Sequence, residues 1–244
     1  MILLTVGQPK SASTYVAQLA RRAAALAAGP QAGLIETYLS DQAQVSGMFW
    51  AGGLAPLAAI SASMAPGEVI ALKTHAPPPD DLRPYRDGGS IRVILSYRDA
   101  ADAALSCFDA GAKLRAEGSD KQTGFQALAT HRQAIDFMQR HLDASILPWL
   151  RSGVGTAFAF DEVTNDPTRL IQTLAQTVGI GADRLASDKA ALRLLGGQDR
   201  VYNFNQGTSG RAAQVFSAQD LAYSKERAGR FAAFCTGGLS REEL

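Results

Sequence analysis

The segment GQPKSAST, residues 7–14, carries side chains that could hold an anion. It lies between an apolar run and a helical pattern, where a loop presents backbone N–H groups at the positive end of the helix. Lys10 adds a cation, and Ser11, Ser13 and Thr14 add hydroxyl donors. The segment therefore predicts a phosphate cradle. It lacks the Walker pattern GxxxxGK[ST], and an ordinary solvated turn is the alternative interpretation.

A second group, Lys73 and His75, follows an apolar run and precedes a proline-rich turn. In parallel sheets, ligands bind beyond the carboxyl ends of the strands, so this group falls on the edge where a site is expected. Histidine can act as a base near neutral pH, and lysine can neutralise an anion. The pair therefore predicts proton transfer beside a bound anion, with a structural histidine as the alternative.

A third candidate comes from the segment IRVILSYRDAADAALSCF, in which an apolar run ends at Arg98. Asp99 begins a helical pattern, and Ser106 lies about two turns into it. A guanidinium and a hydroxyl could therefore converge on a phosphate outside the sheet edge. The alternative is a surface ion pair of Arg98 with Asp99 or Asp102.

Short apolar runs would position these three groups. Residues 2–6 are typical of a strand buried on both faces, and residues 68–73, 91–96 and 156–160 predict three more strands. Helical patterns alternate with several of these runs. The sequence therefore predicts an α/β fold with a mostly parallel central sheet flanked by helices, opening with a P-loop-like strand–loop–helix.

Three helical patterns serve as scaffold in this prediction. The first runs from Ser13 to Ala28, begins with a hydroxyl cap and stops at Gly29-Pro30. The others cover residues 125–142 and 166–177. Residues 198–210 are rich in Asn, Gln, Gly and Ser, which predicts a long surface loop with a binding role.

The composition limits the classes of protein. Lys and Arg total 24 against 23 Asp and Glu, so the net charge of +1 gives no overall field for binding nucleic acid. Cys107 and Cys235 lack metal-ligand spacing and predict core packing in a reducing compartment. No apolar stretch approaches the roughly 20 residues that span a bilayer. We expect one domain, residues 1–244, in a cytoplasmic protein without a metal or a membrane span.

In their order and position, these motifs resemble those of the sulfotransferases that use 3′-phosphoadenosine-5′-phosphosulfate (PAPS). The loop PKSAST resembles that family's P-K-S-G-T-T, and residues 73–75 resemble its K-T-H at a strand end. The segment that starts at Arg98 resembles R-[DN]-x-x-D-x-x-x-S. Residues 160–163 resemble Y-E-D-L, and residues 205–217 resemble the C-terminal loop R-K-G-x-x-G-x-W-x-x-x-F-T. The resemblance spans residues 2–217.

The resemblance implies an enzyme that transfers a sulfuryl group from PAPS to a hydroxyl or amine and releases adenosine 3′,5′-bisphosphate (PAP). His75 would be the base, Lys10 would neutralise charge on the departing bisphosphate, and Lys73 would bind the sulfonate oxygens. No metal is required. The residues implied to bind the cofactor are Lys10, Ser11, Ala12, Ser13, Thr14, Arg98, Ser106, Gly207, Thr208, Ser209, Gly210 and Arg211.

The sequence departs from the family pattern at several positions. Ala12 replaces a glycine of the first loop. Asn205 and Gln206 stand where the family has Arg and Lys on the 3′-phosphate. Arg211 or Arg200 is therefore the candidate for the missing positive charge.

Two other functions stay open at this stage. One is a nucleotide-dependent phosphotransferase with the same cradle. The other is a protein that kept the fold and lost the activity, which Asn205, Gln206 and Ala212 favour. The acceptor is expected to be a small molecule or a glycan, and residues 36–66 are either an acceptor-facing segment or core. The oligomeric state stays open, including a homodimer.

Overall fold

The computed structural model describes residues 1–39, 54, 56–86, 89–118, 124–195 and 208–244. The predictions for Gly207 and for Arg200, Asn205 and Gln206 concern residues outside these ranges. Within the candidate acceptor segment, residues 40–53 and 55 also lie outside them.

Strands alternate with helices along the described chain, as the sequence predicts. The elements are, in order, β1 Ile2–Gly7, α1 Ser13–Ala28, α2 Gln31–Leu39, α3 Pro56–Ser63, β2 Ile70–Thr74, α4 Arg83–Arg86, β3 Ile91–Tyr97, α5 Ala100–Ala116, α6 His131–His141, a π-helical turn Leu142–Ile146, α7 Leu147–Arg151, β4 Thr156–Ala159, α8 Phe160–Asn165, α9 Thr168–Val178, α10 Ala182–Ala186, α11 Lys189–Leu195, α12 Ala212–Val215 and α13 Ala218–Cys235.

Within the described residues, the strands form one parallel sheet of four, in the order β2-β1-β3-β4. This confirms the predicted α/β fold. The strand predicted from residue 68 begins two residues later, because β1 starts at Ile2 and the register partner of Ile2 is Ile70. The order places β1 between β2 and β3, so the carboxyl ends of the three motif-bearing strands lie side by side.

β1 is apolar at nearly every position because both faces of the sheet are covered. Ile2, Leu4 and Val6 belong to the core on one face, with residues of α5 and α6. Leu3 points to the other face and packs with α1 and α9. The alternation follows the two-residue period of a strand. A continuous apolar run is the expected sequence of such a strand.

α1 has the predicted bounds, Ser13 and Ala28, but not the predicted cap. Its N-cap is Ala12, which has a left-handed backbone (φ 61°) and no side chain that could cap the helix. The expected hydroxyl cap is wrong because the helix begins one residue after Ala12, so an alanine occupies the N-cap position. The helix ends at Gly29, with φ 87°, as predicted.

The helix predicted over residues 125–142 is wrong at its start. α6 begins at His131, because Thr130 and Gln133 form a capping box in which the Gln133 backbone N–H donates to the Thr130 hydroxyl. The preceding residues form a turn closed by the Leu128 N–H and the Phe125 carbonyl. The helical course also continues past residue 142 through the π-helical turn into α7.

The sequence also makes predictions about the cysteines, metal binding and membrane-spanning helices. Cys107 is buried and Cys235 half-buried, and both are free thiols. Among the described residues, no cluster of three or more His, Cys, Asp or Glu side chains could hold a metal ion. The described helices include none with both the length and the apolar character needed to cross a bilayer.

Candidate functional site

The sequence-predicted residues of the first three motifs meet at the carboxyl edge of the sheet. The loop after β1 lies against the end of β3, where the Gln8 N–H donates to the Ser96 carbonyl at 3.1 Å. Lys73 and His75 come from the end of β2, next to the same loop. Arg98 follows β3 directly.

The loop between β1 and α1 is a tight turn built around Gly7. A Cβ on Gly7 would lie 2.1 Å from the Ser13 Cβ, so only glycine allows the chain to pass. Lys10 and Ala12 have left-handed backbones, with φ of 66° and 61°. The first intrahelical bond of α1 runs from the Val16 N–H to the Ala12 carbonyl. The preceding amides of the first turn therefore have no intrahelical acceptor, as is usual at a helix N-terminus.

Two buried side chains hold this loop to the end of β3. The Ser11 hydroxyl is fully buried and lies within hydrogen-bond distance of the carbonyls of Gln8 (2.7 Å) and Ser96 (3.0 Å) and of the Ser96 hydroxyl (2.9 Å). The Gln8 side-chain oxygen accepts from the Arg98 N–H at 2.7 Å. The Ser11 hydroxyl thus holds the loop against the end of β3.

Of the two lysines of the site, Lys73 is buried and Lys10 is half-buried. Lys73 donates from Nζ to the Thr14 hydroxyl at 2.9 Å. Burial, assisted by the positive charge of Lys10, lowers the pKa of Lys73 to about 7. Burial also lowers the pKa of Lys10, whose Nζ lies 5.5 Å from the centre of the Phe125 ring. A bound anion between them would offset the cost of holding both charges.

His75 is held in one tautomer by the loop. Its Nδ1 hydrogen-bonds to the Gly7 carbonyl, and a carbonyl can only accept, so Nδ1 carries the proton. Nε2 therefore carries the ring's lone pair. Burial, with the nearby charge of Lys73, lowers the pKa of His75 to about 3. The ring is neutral at pH 7 and can accept a proton at Nε2.

Arg98 is buried, and its guanidinium is only partly satisfied. Nη2 donates to the Thr208 carbonyl at 2.5 Å and Nη1 to the Lys10 carbonyl at 3.4 Å, while the group stacks 4.0 Å from the centre of the Phe160 ring. Nε is buried without a partner in the described part of the chain. Burial lowers the pKa of Arg98, and the Asp102 and Asp161 carboxylates oppose that effect. An unsatisfied N–H on a buried cation suits an incoming anion.

The two acidic residues at the start of the helix that follows Arg98, Asp99 and Asp102, make backbone contacts. Asp99 caps α5 and accepts from the amides of Ala101 and Asp102. Ser106 is buried one turn beyond Asp102, on the same face of α5. Because Arg98 is buried and Asp99 is a cap, the surface ion-pair interpretation of this motif is wrong.

The described part of the C-terminal loop, residues 208–211, lies against α5 and α8. Ser209 donates from its hydroxyl to Asp161 at 2.6 Å. Arg211 pairs with Asp109 of α5 at 2.9 Å, and its charge contributes to lowering the Arg98 pKa. The loop therefore reaches Arg98 from the far end of the chain.

The structure also identifies residues that the sequence patterns missed. Gln8 and Asp102 contact groups about 90 and 108 positions away, Arg98 and Gly210 respectively. Local periodicity and composition carry no signal for such pairings. Asp102 stood within the predicted motif, but its contact with the loop backbone could not be predicted.

No family model matches the sequence, and no curated protein matches it. Solved structures do. The chain is similar to the structure of mouse sulfotransferase SULT7A1 complexed with PAP, at 12% identity and a TM-score of 0.56. This match covers 98% of this chain and 89% of the SULT7A1 chain. Two structures of retinol dehydratase, one with androsterone and inactive cofactor PAP and one with retinol and PAP, match at 14% and 15% identity and TM-scores of 0.49 and 0.48. They cover 93% of this chain and 79% and 80% of those chains. The chain has the sulfotransferase fold.

Proposed function

We propose that this chain is a PAPS-dependent sulfotransferase that sulfates a hydroxyl or amine of an acceptor and releases PAP. The observation that carries the proposal is Arg98, a buried cation with an unsatisfied Nε, at the same sheet edge as Lys10, Lys73 and His75. The fold, shared with a sulfotransferase complexed with PAP, supports it. The proposal takes residues 1–244 as one functional unit.

The nucleotide would be held at its two ends by different parts of the chain. The first-turn amides of α1, with Lys10, Lys73 and Thr14, would hold the 5′ phosphosulfate. Arg98 and Ser106, with residues 208–211, would hold the 3′-phosphate. Bound PAPS supplies the activated sulfuryl group. These cations fit the anionic groups of PAPS. Anionic oxygens would raise the lowered pKa values of Lys10 and Lys73 and would accept a hydrogen bond from the unsatisfied Arg98 Nε.

The lysines would act through charge. Sulfuryl transfer passes through a loose transition state whose charge spreads over the leaving group and the sulfonate oxygens, much as in phosphoryl transfer. Lys10 would neutralise charge on the leaving oxygen and Lys73 charge on the sulfonate oxygens. Lys73 is buried and Lys10 half-buried, so each charge interacts more strongly with an anion than it would at an exposed surface.

His75 would remove the acceptor proton. The Gly7 carbonyl fixes its Nδ1–H, so Nε2 accepts. Its pKa of about 3 makes it a weak base in the ligand-free protein. Negative charge bound beside Lys73 would raise that pKa and strengthen the base when the nucleotide is present. His75 would therefore become a stronger base once the nucleotide is bound, which is when the acceptor proton must be removed.

A second candidate, a nucleotide-binding protein without transferase activity, has one observation in its favour. Arg211, the candidate replacement for the missing basic residues, is engaged by Asp109. Such a protein would bind PAP but would not release it from PAPS with any acceptor. A phosphotransferase would instead respond to ATP with Mg²⁺.

Thermal stabilisation by nucleotides tests the proposal. PAP should stabilise the protein more than 5′-AMP at the same concentration, because only PAP offers a 3′-phosphate to Arg98. At 100-fold excess over Kd, binding adds about 2.7 kcal/mol to the free energy of unfolding. Arg98→Ala should remove most of the difference between the two ligands. Equal shifts for PAP and 5′-AMP in the wild type, or a larger shift for ATP with Mg²⁺, would reject the sulfotransferase assignment.

A further inference from the structure

Asp102 is a buried carboxylate whose two oxygens both bind the backbone of the C-terminal loop. Oδ2 accepts from the Gly210 N–H at 2.6 Å, and Oδ1 accepts from the Ala212 N–H at 2.8 Å. Only 4% of Asp102 is exposed, so these charge-assisted bonds are shielded from water. The carboxylate thus joins the first turn of α5 to a segment more than one hundred residues later.

The charge of Asp102 is unfavourable for phosphate binding. It lies close enough to Arg98 to raise the pKa of that guanidinium, so it would also repel a phosphate bound there. Electrostatics alone therefore predicts that neutralising Asp102 strengthens binding of a 3′-phosphate. A carboxylate placed here needs a compensating role.

That role follows from the path between the two side chains. Asp102 fixes Gly210, and Gly210 follows Thr208 by two residues. The Thr208 carbonyl in turn accepts from Arg98 Nη2. This carbonyl makes the shorter of the two carbonyl contacts of the guanidinium, so its position helps to set where the unsatisfied Nε points.

We propose that Asp102 is a positioning residue that anchors the C-terminal loop so that the Thr208 carbonyl orients Arg98 for the 3′-phosphate. The inference rests on the proposed function, since the 3′-phosphate is the ligand toward which Arg98 is oriented. It makes the loop and the arginine one unit, with Asp102 as their link. Loss of the link lowers affinity for PAP and leaves affinity for 5′-AMP unchanged.

Calorimetric titration of Asp102→Asn and Asp99→Asn with PAP and 5′-AMP separates positioning from charge. Asn at position 99 keeps the cap of α5 and removes one negative charge near Arg98, so it is the matched control. Asp99→Asn should bind PAP as tightly as the wild type or more tightly. Asp102→Asn should bind PAP about tenfold more weakly, the usual effect of losing one hydrogen bond to a charged group. Tighter PAP binding by Asp102→Asn would overturn the proposal.

Two further measurements keep the inference separate from the proposed function. In an Arg98→Ala background, Asp102→Asn should have no further effect on PAP affinity, because the group that it positions is gone. Full additivity would overturn the proposal. Amide hydrogen exchange at Gly210 and Ala212, without ligand, should accelerate at least tenfold in Asp102→Asn and stay unchanged in Asp99→Asn. Equal PAP and 5′-AMP affinities in the wild type would reject the proposed function, whereas unchanged exchange would reject the anchor itself.

Discussion

At the residue scale, the sequence predicts which side chains lie together at one edge of the sheet, because these side chains lie at or just after the carboxyl ends of strands. Lys10, Lys73, His75 and Arg98 each follow an apolar run, and the carboxyl ends of parallel strands share one edge. Their contacts could not be predicted. The tautomer of His75 depends on the Gly7 carbonyl, a group 68 positions away.

His75 should make the protein's stability depend on pH below 6.5. Its pKa is lowered to about 3 in the folded state, so between pH 3 and 6.5 the unfolded chain binds a proton that the folded chain does not. Stability therefore falls as the pH falls through this window. Between pH 6.5 and 4.5, the loss attributable to His75 should reach about 2 kcal/mol, since each pKa unit corresponds to about 1.4 kcal/mol.

Urea unfolding of wild type and His75→Asn at pH 7 and pH 4.5 measures this contribution. Asparagine does not titrate, so the variant should lose less stability than the wild type on acidification. Parallel losses in the two proteins would show that the His75 ring is not held neutral. Once an acceptor is identified, the same variant should turn over about 10²–10⁴ times more slowly while binding PAP normally.

At the element scale, the start of α1 differs most informatively from its prediction. The sequence predicts the helix bounds because Gly29-Pro30 ends an apolar periodic run. It predicts a hydroxyl cap because hydroxyl residues cluster at the start of the helix, but Ala12 occupies the N-cap position and the hydroxyl of Ser11 before it contacts Ser96. The resulting N-cap is an alanine in a left-handed conformation, which costs about 1–2 kcal/mol relative to a favourable backbone.

Replacing Ala12 by glycine, the residue that the resembled family has there, should stabilise the protein. Glycine adopts φ 61° without strain, which recovers more than the roughly 0.4–1 kcal/mol lost to greater freedom of the unfolded chain. We expect a net gain of about 0.5–1 kcal/mol in the free energy of unfolding, measured by urea titration. The control, Ala112→Gly within α5, should lose about 1 kcal/mol. A loss at position 12 as large as at position 112 would contradict the strained-cap description.

At the scale of the whole molecule, the sheet order determines which motifs meet. The alternation of strands and helices predicts a parallel sheet, but no local pattern specifies β2-β1-β3-β4. With β1 between β2 and β3, the segment after β1 contacts residues from both neighbours: Thr14, in the first turn of α1, accepts from Lys73, and Gln8, in the loop, accepts from Arg98. The two ends of the proposed nucleotide site are thus built from separate groups of elements.

Because of this separation, the two ends of the site should differ in the number of protons that they take up when the nucleotide binds. Lys73, at the 5′ end, has a pKa of about 7 in the ligand-free protein and is mostly neutral at pH 8. A bound 5′-phosphate would raise that pKa toward its ordinary value of 10.5, so binding at pH 8 should take up close to one proton. The 3′ end should contribute none, because a guanidinium stays charged throughout this range.

Calorimetric titrations at pH 8 in buffers of different ionisation enthalpy measure this uptake directly. PAP and 5′-AMP should take up the same amount, although PAP binds more tightly, because the 5′-phosphate is common to both. Lys73→Met should abolish the uptake, while Lys225→Met, an exposed lysine on α13, should leave it unchanged. Uptake that persists in Lys73→Met, or that occurs with PAP alone, would place the titrating group elsewhere. Near pH 6 Lys73 is already mostly protonated before the ligand binds. Its contribution to the uptake should therefore be much smaller at pH 6 than at pH 8.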